Sequence, residues 1–89
     1  MSFPLSDFKK YLSDDIIEKG AHYFSEGRVQ KLIREGNTWT AEVTGTNNYA
    51  VIVYIKDSEI SGWDCDCPYK AGPVCKHVAA VFFGLIQNA

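Results

Sequence analysis

The chain has 89 residues, of which 46% are hydrophobic and 22% charged, and its formal net charge is −2. This length corresponds to one small domain, whose core is modest enough that a bound metal or a disulfide would add stability. The charge is not that of a domain that holds nucleic acid by electrostatic attraction alone, and no apolar run is long enough to span a membrane. Because the first residues also lack the pattern of a secretory signal, we expect an intracellular, cytoplasmic protein whose thiols stay reduced.

Residues 5–27 form a helical lead-in that is predicted to contain two helices. Apolar residues recur at helical spacing near its start, which indicates a first helix of only a turn or two. Ser13 is a good N-cap for the second helix, because two aspartates follow it on the first turn. Gly27 can end that helix as a C′ residue, whereas Gly20 should weaken its middle slightly. The apolar stripe of this helix would consist of Ile16, Ile17, Ala21 and Phe24.

Residues 28–64 are predicted to form three or four antiparallel strands. The stretch RVQKLIRE is strand-like but ambiguous in register, and Gly36-Asn37 supplies the turn after it. TWTAEVTG alternates cleanly, which places Trp39, Ala41 and Val43 on one face. YAVIVYIK is β-branched and aromatic on both faces, which is typical of a central strand. EISGWDCDC indicates a last strand that runs into the cysteines.

Residues 65–88 contain the cysteine cluster and a final helix. That helix would face the core through residues at i, i+3, i+4 and i+7, namely Val78, Val81, Phe82 and Leu85. The predicted fold class is therefore α+β: N-terminal helices, a small antiparallel sheet of three to four strands, a metal-binding loop and a C-terminal helix, with residues 1–89 as one domain. Since the last helix is apolar up to the end of the chain, we expect these residues to be the N-terminal part of a larger protein.

All three cysteines and one histidine lie in the pattern Cys65-x-Cys67-x7-Cys75-x-His77. Three sulfurs and one nitrogen are a donor set typical of a closed tetrahedral zinc site. Cys65 and Cys67 can face the same ion because side chains two apart in an extended segment point to the same side. Prolines and a glycine in PYKAGPV can fold the chain back towards the second ligand pair. We therefore predict one structural Zn²⁺ held by these four residues, with Asp66 pointing into solvent.

Three other interpretations of the cluster agree less well with the sequence. Three cysteines cannot pair completely, and the chain lacks the Cys-x-x-Cys motif of redox proteins. A catalytic zinc usually keeps one position open for water, whereas His77 would fill the fourth position here. Ala79 also stands where the zinc deaminases carry a glutamate after the histidine. Buried cysteines that act as small apolar residues are the third alternative, and the ligand-like spacing argues against it.

The segment CDCPYKAGPVCKH resembles the SWIM-type zinc finger, whose pattern is Cys-x-Cys-x(n)-Cys-x-His. The resemblance extends upstream through GAHYFSEGRV, which is similar to the lead-in of bacterial SWIM proteins, and covers most of residues 16–86. It implies metal-ligand roles for Cys65, Cys67, Cys75 and His77. It also implies a parent such as a Swi/Snf-type helicase-like ATPase, a transposase or a kinase, and binding to DNA or to other proteins. The ATPase phosphate-binding motif itself does not occur in these residues.

Several residues are candidates for contact with a partner, namely Tyr69, Lys70, Lys76, Arg28, Lys31 and Arg34. The first two lie in the loop between the ligand pairs, and a loop held by a metal is a suitable recognition surface, although both could simply be solvated. The basic residues among the six, Lys70 included, could contact phosphates if the fold brings them together. Nearby acidic residues would cancel much of their field, which favours a mixed-charge surface: Glu26, Glu35, Asp64 and Asp66.

Two other side chains have simpler interpretations. His22 is a lone histidine, which favours an ordinary surface residue over a functional one. Trp63 is expected to pack over the metal loop and not to serve as an exposed binding aromatic.

The sequence as a whole predicts a non-enzymatic, zinc-dependent interaction module of a larger protein such as a helicase-like ATPase. Its partner would be a protein or DNA, and the acidic balance favours a protein. A domain that binds DNA directly is the alternative, and a catalytic zinc site ranks last. No small-molecule substrate and no membrane contact are expected.

Overall fold

The structure is a computed structural model that describes residues 2–68 and 74–87. These described residues form two α-helices, a 3₁₀ helix and five strands. Along the chain these are β1 (Phe3–Pro4), the 3₁₀ helix (Leu5–Tyr11), α1 (Asp14–Ser25), β2 (Val29–Glu35), β3 (Thr38–Thr44), β4 (Asn48–Lys56), β5 (Glu59–Cys65) and α2 (Lys76–Gln87).

The five strands form one sheet in the order β1-β5-β4-β3-β2, and every neighbouring pair is antiparallel. The predicted α+β class is confirmed, and β4 lies at the centre of the sheet as its two apolar faces indicated. The sheet has one strand more than the predicted three to four. The additional strand is Phe3–Pro4, which pairs with Ile60 and Glu59 at the edge of β5. Two residues are too short for any periodic pattern, so this strand had no signal in the sequence.

The ambiguous register of β2 has a structural cause. Its pairing with β3 shifts between Gln30 and Ile33, and Lys31 between them has a positive φ of 53°. A bulge of this kind places two consecutive residues against one partner, so the side chains before and after it do not keep a single alternation.

The ends of α1 are those that the sequence predicts. The hydroxyl of Ser13 accepts a hydrogen bond from the backbone N–H of Ile16 at 3.3 Å, which makes it the N-cap. Gly27 follows the helix with a φ of 72°, the left-handed conformation of a C′ glycine. The 3₁₀ helix replaces the predicted first helix over Leu5–Tyr11 and buries Phe8 completely.

α2 packs on one face of the sheet, and α1 packs against α2. The sheet contributes Val43, Val51, Val53 and Ile60 to the core, and the predicted stripe of α2 is buried in full: Val78, Val81, Phe82 and Leu85. The opposite face carries the exposed side chains of Ile33 and Tyr54. Among the described residues, no helix is long and apolar enough to cross a membrane.

The two helices approach each other closely at Gly20 of α1 and Ala79 of α2. A Cβ on Gly20 would lie 2.6 Å from the Cβ of Ala79, closer than two such atoms can approach. Gly20 therefore has a packing role that the sequence did not indicate, beyond the small cost in helix propensity expected for it. Of the predicted stripe, Ile16 is buried, while Ile17, Ala21 and Phe24 are half-buried. The buried face of α1 is centred on Ile16 and Gly20 because Gly20 allows the close approach of α2.

Candidate metal centre

The side chains of Cys65, Cys67, Cys75 and His77 come together, with their ligand atoms all within 4.8 Å of one another. The Nδ1 atom of His77 is 3.9 Å from the Sγ atom of Cys65 and 3.8 Å from that of Cys75. In a tetrahedral zinc site with bonds of about 2.3 Å to sulfur and about 2.0 Å to nitrogen, these atoms lie roughly 3.5 Å apart. The donor set and its spacing therefore fit one structural Zn²⁺, as predicted.

The four ligands lie at or next to the end of β5 and the start of α2. Cys65 is the last residue of β5, and its pairing with Val51 of β4 fixes its position. Cys75 directly precedes α2, and His77 lies in the first turn of that helix. Cys67, Cys75 and His77 are buried and Cys65 is half-buried, so the centre closes the gap between the end of the sheet and the start of α2. A bound ion would join these two elements directly.

Backbone N–H groups stabilise two of the sulfur atoms. The sulfur of Cys75 accepts the N–H of Val78, and the carbonyl oxygen of Cys75 accepts the N–H of Ala79 at 3.1 Å. Cys75 is thus bound at the N-terminus of α2, where the helix dipole favours a thiolate. The sulfur of Cys65 accepts the N–H of Cys67.

The same two sulfurs share a hydrogen bond with each other. That bond from Cys65 lowers the pKa of the Cys75 thiol, and a hydrogen bond with His77 lowers it further against the opposing effect of burial. The pKa of Cys65 is raised in turn, first by the hydrogen bond to Cys75 and then by burial. A negative charge is therefore favoured on Cys75 first, and the second thiolate needs a cation beside it.

Asp66, between the first two ligands, is exposed as predicted, but its carboxylate also has a structural partner. Its Oδ1 atom accepts the backbone N–H of Ala50 at 3.0 Å, and its own N–H donates to the carbonyl oxygen of Ala50 at 3.4 Å. These bonds continue the β4–β5 pairing past Cys65, so that the backbone between the first two ligands is held against the sheet.

Two tyrosines that the sequence analysis did not single out enclose the imidazole of His77. The ring of Tyr49 stacks on it with centroids 4.3 Å apart, and the ring of Tyr23 meets it edge-on at 5.5 Å. The sequence weakly indicated the position of Tyr49, because residues 49, 51 and 53 of a strand lie on the same face, and Val51 and Val53 face the core. Tyr23 had no such signal, since its contact with His77 joins α1 to α2.

Arg28 and Lys76, two of the candidate partner residues, converge on Tyr23. The guanidinium carbon of Arg28 lies 5.1 Å from the centroid of the Tyr23 ring, and the Nζ atom of Lys76 lies 5.2 Å from it. Arg28 also forms an ion pair with Glu26 at 2.8 Å and donates to the carbonyl oxygen of Thr44 at 3.1 Å.

The other candidates lie elsewhere. Lys31 forms an ion pair with Glu42 at 3.5 Å, and the Nε atom of Arg34 donates to the carbonyl oxygen of Gly36 at 3.0 Å. Neither joins the pair at Tyr23. Tyr69 and Lys70 lie outside the described residues.

His22 and Trp63 occupy positions close to those expected for them. His22 is exposed on α1, in agreement with an ordinary surface residue. Trp63 is half-buried and packs, with ring centroids 5.6 Å from Phe3 and 6.1 Å from Phe82. These contacts place Trp63 in the aromatic core beneath α2; the part of the metal loop over which it was expected to pack lies outside the described residues.

Comparison with known proteins agrees with this geometry. The family model of the SWIM zinc finger matches residues 51–83, which contain all four ligands. No curated protein and no solved structure shows significant similarity to the chain. Residues 51–83 thus match the SWIM zinc finger in sequence, and the four donor atoms of the Cys-x-Cys-x7-Cys-x-His pattern come together in a geometry that fits one structural zinc ion.

Proposed function

We propose that this chain is a zinc-dependent interaction module of a larger protein, and that its recognition surface lies beside the metal. The observation that carries this proposal is an open cleft of about 340 Å³ against the metal ligands. Its walls include ligands, aromatic rings and lysines, namely Cys67, Cys75, His77, Tyr23, Tyr49, Lys19 and Lys76. Because several walls are the ligands or their neighbours, a bound zinc ion would hold the cleft in shape.

The donor set supports a structural role for the metal. Four protein ligands complete a tetrahedral shell, whereas a hydrolytic zinc keeps a position for water or substrate. The module would therefore act by binding, and any catalysis would belong to the larger protein. The resemblance to SWIM proteins supports a helicase-like ATPase as one class of parent.

A protein partner is favoured over nucleic acid by the charge distribution. The net charge is −2, and Lys10, Lys19, Arg28 and Lys31 each lie beside a carboxylate. Three zinc-bound thiolates and one Zn²⁺ would leave the centre itself with one negative charge. Such a surface gives little of the phosphate attraction on which nucleic-acid binding depends.

One observation favours DNA as a second candidate. Arg28 and Lys76 both lie close to the Tyr23 ring, which contacts His77, so two positive charges beside the metal centre could attract phosphate groups. This alternative predicts that affinity falls steeply with salt, since each neutralised phosphate releases counterions.

Titration of fluorescently labelled single-stranded and duplex DNA with the zinc-loaded chain separates the two candidates. At about 50 mM and about 200 mM salt, a protein-binding module should show no saturable change in anisotropy. Saturable binding that weakens steeply at the higher salt, and that is lost in Lys76→Glu but kept in Lys56→Glu, would instead establish the DNA candidate.

A protein partner can be tested with the same pair of variants. A purified partner should bind the zinc-loaded chain and lose affinity for Lys76→Glu, whereas Lys56→Glu, at the exposed end of β4, should bind normally. Equal binding to both variants and to the zinc-free chain would contradict a recognition surface beside the metal.

A further inference from the structure

The metal ligand His77 is held by aromatic rings that lie outside the segment matched by the family, residues 51–83. The Tyr49 ring is stacked on the imidazole with an interplanar angle of 28°, and the Tyr23 ring meets it at 69°. We propose that Tyr49 and Tyr23 are positioning residues of the metal centre, which fix the plane of the His77 ring so that Nδ1 points at the sulfurs of Cys65 and Cys75.

The physical requirement for such residues comes from the imidazole itself. The nitrogen lone pair lies in the ring plane, so a metal–nitrogen bond forms only when that plane contains the ion. Rotation of a histidine ring about its last torsion is broad and is weakly restricted by the side chain alone. A flat ring stacked at 4.3 Å blocks rotation out of the observed plane, because the imidazole would collide with it.

The two tyrosines are themselves fixed by the fold. Tyr49 pairs with Val43 across β3 and β4, and Tyr23 lies on α1. Gly45 lies beside both side chains, since a Cβ there would be 3.3 Å from the hydroxyl oxygen of Tyr23 and in ordinary contact, at 3.5 Å, with the ring of Tyr49. The plane of His77 is thus imposed by regular elements, as a preorganised ligand requires.

The start of β4 contacts both halves of the ligand set. Tyr49 stacks on His77, and the adjacent Ala50 exchanges two hydrogen bonds with Asp66, which lies between Cys65 and Cys67. A single stretch of strand therefore sets the position of the Cys-x-Cys pair relative to the histidine.

Metal affinity of full-chain variants tests the proposal. Tyr49→Leu keeps an apolar side chain but removes the flat face, Tyr49→Phe keeps the ring, and Tyr54→Leu changes a 43%-exposed tyrosine on the other face of the same strand. Zinc affinity, measured by competition with a chromophoric chelator, should fall about 10-fold to 100-fold in Tyr49→Leu, the range for partners that orient metal ligands. Tyr49→Phe and Tyr54→Leu should bind zinc as the unchanged chain does.

Spectroscopy of the bound metal adds a readout that packing alone would not move. The visible bands of the Co²⁺-loaded chain and the ¹⁵N shifts of the His77 ring should change in Tyr49→Leu and stay unchanged in Tyr49→Phe. Tyr23→Leu should change the zinc affinity and these spectra in the same direction, but less. If Tyr49→Leu does not fold, the result for Tyr23→Leu tests the proposal.

Three results would overturn the proposal. The first is unchanged affinity and spectra in both leucine variants at Tyr49 and Tyr23. The second is an equal loss in Tyr49→Phe, which would assign the effect to the hydroxyl group. The third is an equal loss in Tyr54→Leu, which would indicate a general effect on stability.

Discussion

At the residue scale, the properties of the metal centre depend on the contacts of each sulfur. Cys75 receives the N–H of Val78 at the start of α2 and a hydrogen bond from Cys65, so the pKa of its thiol is lowered. The pKa of the Cys65 thiol is raised, first by the same hydrogen bond and then by burial. In the folded chain a negative charge is therefore favoured on Cys75 over Cys65, and zinc supplies the positive charge that the other thiolates need.

The number of protons released on zinc binding tests whether the zinc-free chain already holds a thiolate. Three thiols with ordinary pKa values of about 8.5 would release nearly three protons per zinc at neutral pH. The lowered pKa of Cys75 belongs to the folded chain, and we expect loss of zinc to unfold the domain, so zinc binding that is coupled to folding should release nearly three protons. Affinity should fall as pH is lowered, because protons then compete with zinc for the thiolates. Calorimetry in buffers of different ionisation enthalpy measures the number, and release of clearly fewer than three protons would show that the zinc-free chain already holds a thiolate.

At the element scale, the contact between α1 and α2 determines how the metal-binding helix sits on the sheet. Gly20 is buried against Ala79, two residues after the ligand His77. The absence of a side chain at this point lets α1 bring Tyr23 to the imidazole of that histidine. A glycine that costs helix propensity is therefore retained where two backbones must approach.

Helix propensity and packing predict opposite changes in the free energy of unfolding when Gly20 is replaced by alanine. Helix propensity alone predicts that Gly20→Ala stabilises the zinc-loaded chain by up to ~1 kcal/mol. The contact predicts the opposite, a loss of about 1–3 kcal/mol from overpacking. We expect the loss, measured by denaturant unfolding. The double variant Gly20→Ala, Ala79→Gly should recover part of it, and a stabilised single variant would show that the helices can move apart.

At the scale of the whole molecule, the zinc site joins the sheet to α2, the helix whose apolar stripe packs on that sheet. It connects the end of β5 to the start of α2, and α2 buries Val78, Val81, Phe82 and Leu85. The free energy of zinc binding is therefore part of the free energy of folding. For structural zinc sites it is on the order of 10 kcal/mol at neutral pH, comparable with the stability of an entire domain.

Metal removal should accordingly destabilise the domain and not only its loop. We expect chelation in the presence of reductant, or Cys75→Ala, to abolish or strongly lower the cooperative thermal transition and to expose Trp63, followed by circular dichroism and tryptophan fluorescence. His22→Ala, which changes the exposed histidine, is the control and should melt as the unchanged chain does. An unchanged melting temperature after verified loss of the metal would contradict a structural role.

The sequence by itself determined the features that depend on local chemistry. The Cys-x-Cys-x7-Cys-x-His spacing identified the zinc ligands because donor types and reach are fixed by a few neighbouring residues. Capping and periodicity are also local properties of the sequence. They predicted the N-cap at Ser13, the end of α1 at Gly27, the central position of β4 and the buried stripe of α2.

Only the tertiary structure decided the features in which distant segments meet. Four such features join parts of the chain that are far apart in sequence. They are the Gly20–Ala79 contact, the enclosure of His77 by Tyr23 and Tyr49, the pairing of Asp66 with Ala50, and the two-residue strand β1. The physical reason is that a side chain's contacts across the core depend on how the elements are placed, and no local pattern encodes that placement.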